Sequence, residues 1–262
     1  MTSSQKIVVE EQVAVNMGSA DVKTITTELG VDLCGIAPVG RFEGAPEGFH
    51  PRDVLPECQS VVVLACQFLK STLFAKSTVP YTDVRNELAR KMDRLAINLS
   101  YQLEEKDVLA IPINSIGPTE WDTRTNKIRG IISLKHAAER AGLGKIGKNT
   151  LLINETYGNM IWLSAVLVSV ALEPDPLVQY EGCIPNCTVC LESCPIQALD
   201  GVSMNQKACW DYAFGKHNGG EWRIKCFACR KACPHCLGLN RNDEKLQDFE
   251  IASRTPNLLN KQ

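Results

Sequence analysis

No segment of this 262-residue chain is long and apolar enough to read as a membrane span. The longest apolar run, Met160 to Leu172, has thirteen residues and contains two serines. A spanning helix needs about 20, so the run reads as a buried element. The chain also lacks an excess of either charge. Its 28 Lys and Arg against 30 Asp and Glu leave a net charge of −2, which implies no general attraction to nucleic acid or to an anionic membrane. The N-terminal segment has no basic stretch leading into an apolar one and no twin-arginine pair, so no export signal is read there. Twelve cysteines without such a signal argue against a disulfide scaffold. The expected setting is the cytoplasm of an anaerobe or another oxygen-protected compartment, with no membrane partner and with nucleic acid not expected.

What is present is a C-terminal third dense in cysteine. A first group runs Cys183-x3-Cys187-x2-Cys190-x3-Cys194-Pro195; a second comprises Cys209, then Cys226-x2-Cys229-x3-Cys233-Pro234. Each group ends like the bacterial ferredoxin run, in which the cysteine before proline ligates the other of two clusters. On that logic one 4Fe–4S cluster takes Cys183, Cys187, Cys190 and Cys233, and the other takes Cys194, Cys209, Cys226 and Cys229. Soft thiolates suit iron in this mixed-valence form. Two features are irregular. The first gap holds three residues instead of two, and Arg223 stands where the second run would begin, so Cys209 must supply a ligand from 17 residues before Cys226. The alternative is a four-thiolate zinc site of Cys226, Cys229, Cys233 and Cys236, which leaves the first group unexplained. Cys34 and Cys66 read as small core residues, and Cys58 has no evident role.

The pattern before the cysteines is mixed helix and strand, an α+β core over residues 20–177. Residues 1–19 read as a loose arm, 178–240 as the two-cluster segment and 241–262 as a peripheral tail. Asp21 to Leu29 predicts a helix stopped by Gly30. Val31 to Ala37 predicts a strand, Gly40 to Pro56 a loop, and Ser60 to Phe68 a strand buried on both faces. Leu88, Met92, Leu95, Ala96, Leu99 and Leu103 recur at helical spacing within a long helix over Asp83 to Glu105. Val108 to Ile113 predicts a strand, Ile116 to Arg129 an irregular polar site loop, and Leu134 to Gly142 a short helix. Leu151 to Asn154 and Met160 to Leu172 predict strands about a turn, and Pro174 to Glu181 a linker.

Gly142-Leu-Gly144-Lys145-Ile146-Gly147-Lys148-Asn149 imitates two nucleotide motifs. The dinucleotide fingerprint needs a strand before it and a helix after it, and here the order is reversed. The phosphate loop needs Ser or Thr where Asn149 stands. Two readings remain: a tight turn needing glycine backbone freedom, or a loop whose bare backbone approaches a flat cofactor face.

The segment AGLGKIGKNTLLI (Ala141 to Ile153), the LEPDP of Leu172 to Pro176 and the double Cys-Pro segment together resemble epoxyqueuosine reductases and their relatives, the corrinoid-dependent reductive dehalogenases. VDLCGIAPVGRF (Val31 to Phe42) and LPECQSVVVLACQF (Leu55 to Phe68) fit the same pattern. The resemblance implies a nitroreductase-like core that binds cobalamin, with an appended two-4Fe–4S ferredoxin-type module covering one side. It implies a reductase in which electrons reach cobalamin through the clusters. It places Gly144, Lys145, Ile146, Gly147, Lys148 and Asn149 near the corrin, and Arg52 and Tyr81 at the border of the same pocket. The family's proton-donating aspartate falls here on Ile128, beside Arg129. Neither its helical-repeat extension nor a Tat signal is read in this sequence. The substrate is therefore expected not to be epoxyqueuosine itself; a small molecule or a separate corrinoid protein is left open.

Asp122 and Glu120, with Trp121 as a wall, are candidate acids in the polar loop, or solvated carboxylates. His136 is a candidate acid or a capping residue, and Tyr81 a phenolic donor or a structural tyrosine. Lys148 could meet a polar cofactor edge or solvent. Arg223, Lys225, Arg230 and Lys231 could dock an acidic donor, a reduced ferredoxin or flavodoxin, or form a solvated face. The alternative to an enzyme is a two-cluster electron-transfer protein, or a reductive activator of a separate corrinoid protein.

Overall fold

A computed structural model describes residues 17–123, 127–216 and 220–239. The tail and nearly all of the N-terminal arm lie outside the described residues, as do the side chains of Glu120 and Lys127. Helix α1 (Ser19–Glu28) leads into strand β1 (Leu33–Pro38), a short helix α2 (Pro51–Val54) and strand β2 (Ser60–Gln67). A long helix α3 (Val79–Glu104) precedes β3 (Ala110–Ile113), a small hairpin β4 (Glu120–Asp122) and β5 (Lys127–Arg129), and helix α4 (Leu134–Arg140). The glycine segment contributes β6 (Lys145–Ile146), which pairs with β7 (Leu152–Ile153), before the long strand β8 (Ile161–Val168). The cysteine-rich segment holds α5 (Val189–Glu192), α6 (Gln206–Ala213), the hairpin β9 (Phe214–Lys216) and β10 (Trp222–Ile224), and α7 (Ala228–Ala232).

Four strands form one antiparallel sheet in the order β1-β2-β8-β3. Strand β2 is almost wholly β-branched or apolar and is buried on both faces, as its composition predicts. Side chains alternate across a strand. Val62, Leu64 and Phe68 therefore join the core built with Met92, Leu95 and Leu99 of α3, while Val61, Val63 and Ala65 join Ala137, Ala138 and Ala141 at α4. The result is a helix–sheet–helix sandwich.

Several boundaries differ from the sequence reading. Helix α3 starts at Val79, four residues earlier than expected, because Pro80 suits a first helical turn where no N–H is needed. The Gly40 to Pro56 loop contains α2, capped by the His50 ring, whose Nδ1 accepts from Arg52 N. The polar stretch Ile116 to Arg129 is not wholly irregular: it carries the β4–β5 hairpin.

The expected linker after Leu172 is pinned to the free edge of β1. Asp175 makes one backbone bond with this edge, its N donating to Ile36 O at 2.9 Å. Its carboxylate accepts from Ile36 N at 2.9 Å and pairs with Lys23. This blunts an otherwise open strand edge. Asp175→Ala leaves the N–H of fully buried Ile36 unpaired, and an orphaned buried donor costs about 1–3 kcal/mol. Anaerobic urea titration should show a loss in that range; an unchanged midpoint would contradict this tethering.

The cysteine segment meets the core at the Phe68 end of the sheet. Tyr81 stacks between Phe68 (4.7 Å) and Phe227 (4.1 Å). Thr82 Oγ1 of α3 accepts from Ile224 N of β10 at 3.1 Å, and Asn159, just before β8, donates from its backbone N to Cys236 O at 3.1 Å.

Candidate functional site

Chain turns bring the cysteines together in crossed fashion. Cys183, Cys187, Cys190 and Cys233 line one small cavity with Asn149, Pro234 and His235. Cys233 arrives there from the second sequence group, across the contact of α5 with α7. Cys194, Cys209, Cys226 and Cys229 form the other association, each acting electrostatically on others of the set. Burial is the largest influence on five of these thiols. It raises Cys190, Cys209 and Cys226 above the ordinary thiol value, and pushes Cys229 to about 11 and Cys233 to about 12. A thiol buried this way gives up its proton most readily to a metal that replaces it.

The donor sets suit iron–sulfur clusters. Each offers four soft ligands, and Cys194 Sγ accepts from Ala198 N at 3.2 Å, the kind of sulfur hydrogen bond that tunes such centres. Among the described residues no three His, Cys, Asp or Glu side chains converge closely enough for one bare ion. The first set instead lines a small cavity, its four thiols on the wall. Cys233 feels both Cys236 and the cavity partners Cys183 and Cys190, while Cys226 and Cys229 are grouped with Cys194 and Cys209, an arrangement other than a closed set of Cys226, Cys229, Cys233 and Cys236.

The glycine segment serves the first cysteine set. A Cβ on Gly144 would lie 2.4 Å from Ile153 O, and one on Gly147 would lie 2.6 Å from Ile153 Cδ1 and 3.4 Å from Cys183 Sγ. Bare backbone is therefore required to bring this loop against β7 and the thiols. Lys148 N donates to Cys183 Sγ at 3.3 Å and Lys148 Nζ to Cys187 O at 2.9 Å. Asn149, buried, donates to Cys229 O at 3.3 Å and so touches both sets. Lys145 and Ile146 are tied into β6, with Glu139 accepting from Ile146 N at 3.0 Å. These glycines therefore allow close approach to β7 and to the cysteine segment.

A second cavity of about 370 Å³ lies beside the core. The loop Pro112–Thr119, Ile128 and the segment Gly130–Lys135 line it. Its size is that of a ligand cleft. Ser115 Oγ is buried in its wall without a hydrogen-bond partner among the described residues. Two links run from its lining toward the second cysteine set. Lys135 lines the cavity, and its ammonium, which donates to Thr150 O at 2.5 Å, is influenced by Cys229 and Arg230. Burial is the main cause that lowers its pKa. Gln206 of α6, the helix that carries Cys209, accepts from Ile128 N at 2.7 Å.

The candidate acids are not gathered there. Ile128 faces the cavity and is paired with Trp121, so by strand alternation Asp122 and Arg129 point to the other side. Asp122 Oδ2 lies 3.4 Å from Arg129 Nε, and the Arg129 guanidinium stacks over Phe49 at 4.6 Å. Tyr81 is buried in its aromatic stack, and desolvation raises its pKa. His136 is exposed, with Nδ1 2.7 Å from Ser133 Oγ at the start of its own helix. Arg52 is exposed and donates from Nε to Cys58 O at 3.1 Å, near the Ser60 end of β2. The cysteines meet the opposite end, about 23 Å away along an eight-residue strand. Arg52 therefore lies at the end of β2 away from the cysteines.

The charged group beside the cysteines is not one solvated face. Arg230 is buried, Lys231 Nζ lies 5.9 Å from the Phe74 ring, and Arg223 has a buried Nε without a hydrogen-bond partner among the described residues. Sequence reasoning missed Lys135, Gln206 and Ser115. Only their neighbourhood to His136, Cys209 and the polar loop could have flagged them.

No protein-family model matches the chain. Among curated proteins, an epoxyqueuosine reductase from Staphylococcus aureus (strain NCTC 8325 / PS 47) is 25% identical over 261 residues, covering 86% of this chain and 66% of its own length. One from Lactococcus garvieae (strain Lg2) is 35% identical over 132 residues, 47% of this chain and 37% of that protein. The chain thus spans less than two thirds of these relatives. Among solved structures, an epoxyqueuosine reductase from Streptococcus thermophilus superposes with a TM-score of 0.58 at 21% identity, over 87% of this chain and 69% of that one. A catabolic reductive dehalogenase superposes with a TM-score of 0.64 at 16% identity, over 89% and 34%. An epoxyqueuosine reductase solved with an epoxyqueuosine-modified tRNA stem loop gives 0.54 at 21% identity, over 89% and 69%. Sequence and fold agree with the resemblance drawn from the motifs: the chain is similar in sequence to epoxyqueuosine reductases and shares its fold with them and with reductive dehalogenases.

Proposed function

We propose that the chain is an oxidoreductase whose two cysteine sets hold 4Fe–4S clusters and whose 370 Å³ cavity receives part of a corrinoid. The observation that carries this reading is the crossed gathering of eight cysteines into two sets of four. When bound, these groups supply single-electron transfer and a cobalt centre able to reduce a substrate.

The chain's own residues do the rest. The Gly144–Asn149 loop seals the first set and supplies the Lys148 N–H to sulfur. Lys135 brings a donor to the cavity wall and is one of its links to the second set. The irregular backbone of 114–119 and 130–133 offers amide groups of the kind that corrinoid amide side chains pair with, and Ser115 Oγ is a further unmatched polar atom among the described residues. With Ile128 where the relatives' acid would fall, the reaction draws its proton elsewhere or requires none. Lys135 is the titratable group placed at this wall.

The substrate's reducible group enters by the same cavity, as a small molecule or on a larger carrier; the electron donor is a reduced ferredoxin or flavodoxin. The test is anaerobic reconstitution with iron and sulfide, addition of hydroxocobalamin, and cobalt EPR during reduction by flavodoxin. Retained corrinoid with a reducible cobalt signal is expected. Protein that carries iron but releases all corrinoid on gel filtration would refute the corrinoid part and leave an electron carrier.

A further inference from the structure

Among the described residues, Arg230 is the only charged side chain that is buried, at 8% exposure. Its Nη1 donates to Asn159 O, and Asn159 Nδ2 donates back to Arg230 O at 3.1 Å. Its guanidinium lies 5.9 Å from the Trp162 ring centroid. None of these partners carries negative charge. The ion pairs seen among the described residues belong to other cations, Lys23, Arg90, Arg129 and Lys207. An uncompensated buried cation is costly, so its counter-charge must lie nearby. Its charge acts on Cys229, the preceding residue in the chain.

We propose that Arg230 is the built-in counter-charge of the second cysteine set, a positioning residue that raises the reduction potential of the cluster held by Cys194, Cys209, Cys226 and Cys229. A four-thiolate cluster becomes more negative by one unit when it takes one electron from a reduced flavodoxin or, in the cuvette, from dithionite. The guanidinium keeps its proton throughout, so the step moves an electron and no proton. A fixed cation in a dry environment favours the more negative state far more than one in water. Placed beside the set that Lys135 and Gln206 link to the cavity lining, it favours residence of the electron on that side of the segment. The inference rests on the two-cluster reading.

The test is an EPR-monitored potentiometric titration of the reconstituted full chain, with Arg230→Met and Arg230→Lys. Arg230→Met should make one cluster at least tenfold harder to reduce, about 59 mV for one electron, and leave the other unmoved. Arg230→Lys should keep both midpoints close to the parent. Unchanged midpoints in an Arg230→Met protein with full iron would overturn the proposal. If Arg230→Met loses iron, Arg230→Lys decides: restored iron supports a charge role, and iron loss there too overturns it. Parent protein lacking two clusters would instead refute the underlying reading.

Discussion

Cys233→Ala is expected to abolish the first cluster and spare the second, lowering iron from about eight to about four per chain. Cys233 lies in the second sequence group, next to Cys229 and Cys226, yet it lines the cavity of Cys183, Cys187 and Cys190. The residual EPR spectrum of Cys233→Ala should therefore match that of Cys183→Ala. The spectrum left by Cys194→Ala should match that of Cys226→Ala, because Cys194 acts on Cys226 and Cys229. An uncrossed arrangement predicts the opposite grouping, with Cys233→Ala resembling Cys226→Ala. Iron analysis with EPR on the four variants, prepared without oxygen, separates the two outcomes.

Gly158→Ala is expected to destabilise the protein by about 3 kcal/mol or more, combining left-handed strain with a forced main-chain shift. Gly158 has φ +58°, and a Cβ there would lie 2.1 Å from His235 O and 2.5 Å from Cys236 C. Both neighbours are backbone of the cysteine segment and cannot rotate away as a side chain could. The turn before β8 and the end of the cysteine segment would have to part, which also exposes the Asn159–Cys236 bond. Gly30→Ala provides the comparison: φ is +81° but nothing lies within 4 Å, so only the conformational cost of about 1–2 kcal/mol applies. Anaerobic urea unfolding of both variants should show the larger loss at Gly158. Equal losses would mean that this junction is looser than the contacts imply.

The cysteine sets were legible in the sequence because ligand spacing and the proline after Cys194 and Cys233 reflect local turn geometry. The buried strand β2 and the apolar stripe of α3 were legible for the same reason, since burial periodicity is a local property. The target of the glycine loop was not. Glycine signals close approach without saying what approaches, and only the fold brings Gly147 to Cys183, 36 positions away in the chain. Asp122 drew notice as a carboxylate in a polar loop, but hairpin pairing turns it away from the side that Ile128 faces. Arg230 read as one of four surface cations, either docking an acidic electron donor or solvated, because charge gives no indication of burial until α7 is docked against Asn159, just before β8. Arg52 sits at one end of the sheet and the cysteines at the other, a separation that motif order along the chain conceals.

The most direct measurement is iron and acid-labile sulfide per chain in protein reconstituted and purified without oxygen, with zinc measured in the same sample. Two sets of four thiols predict about eight irons and about eight sulfides, with no stoichiometric zinc. A colourless protein with one zinc per chain, or one holding iron for a single cluster at full occupancy, would contradict the account.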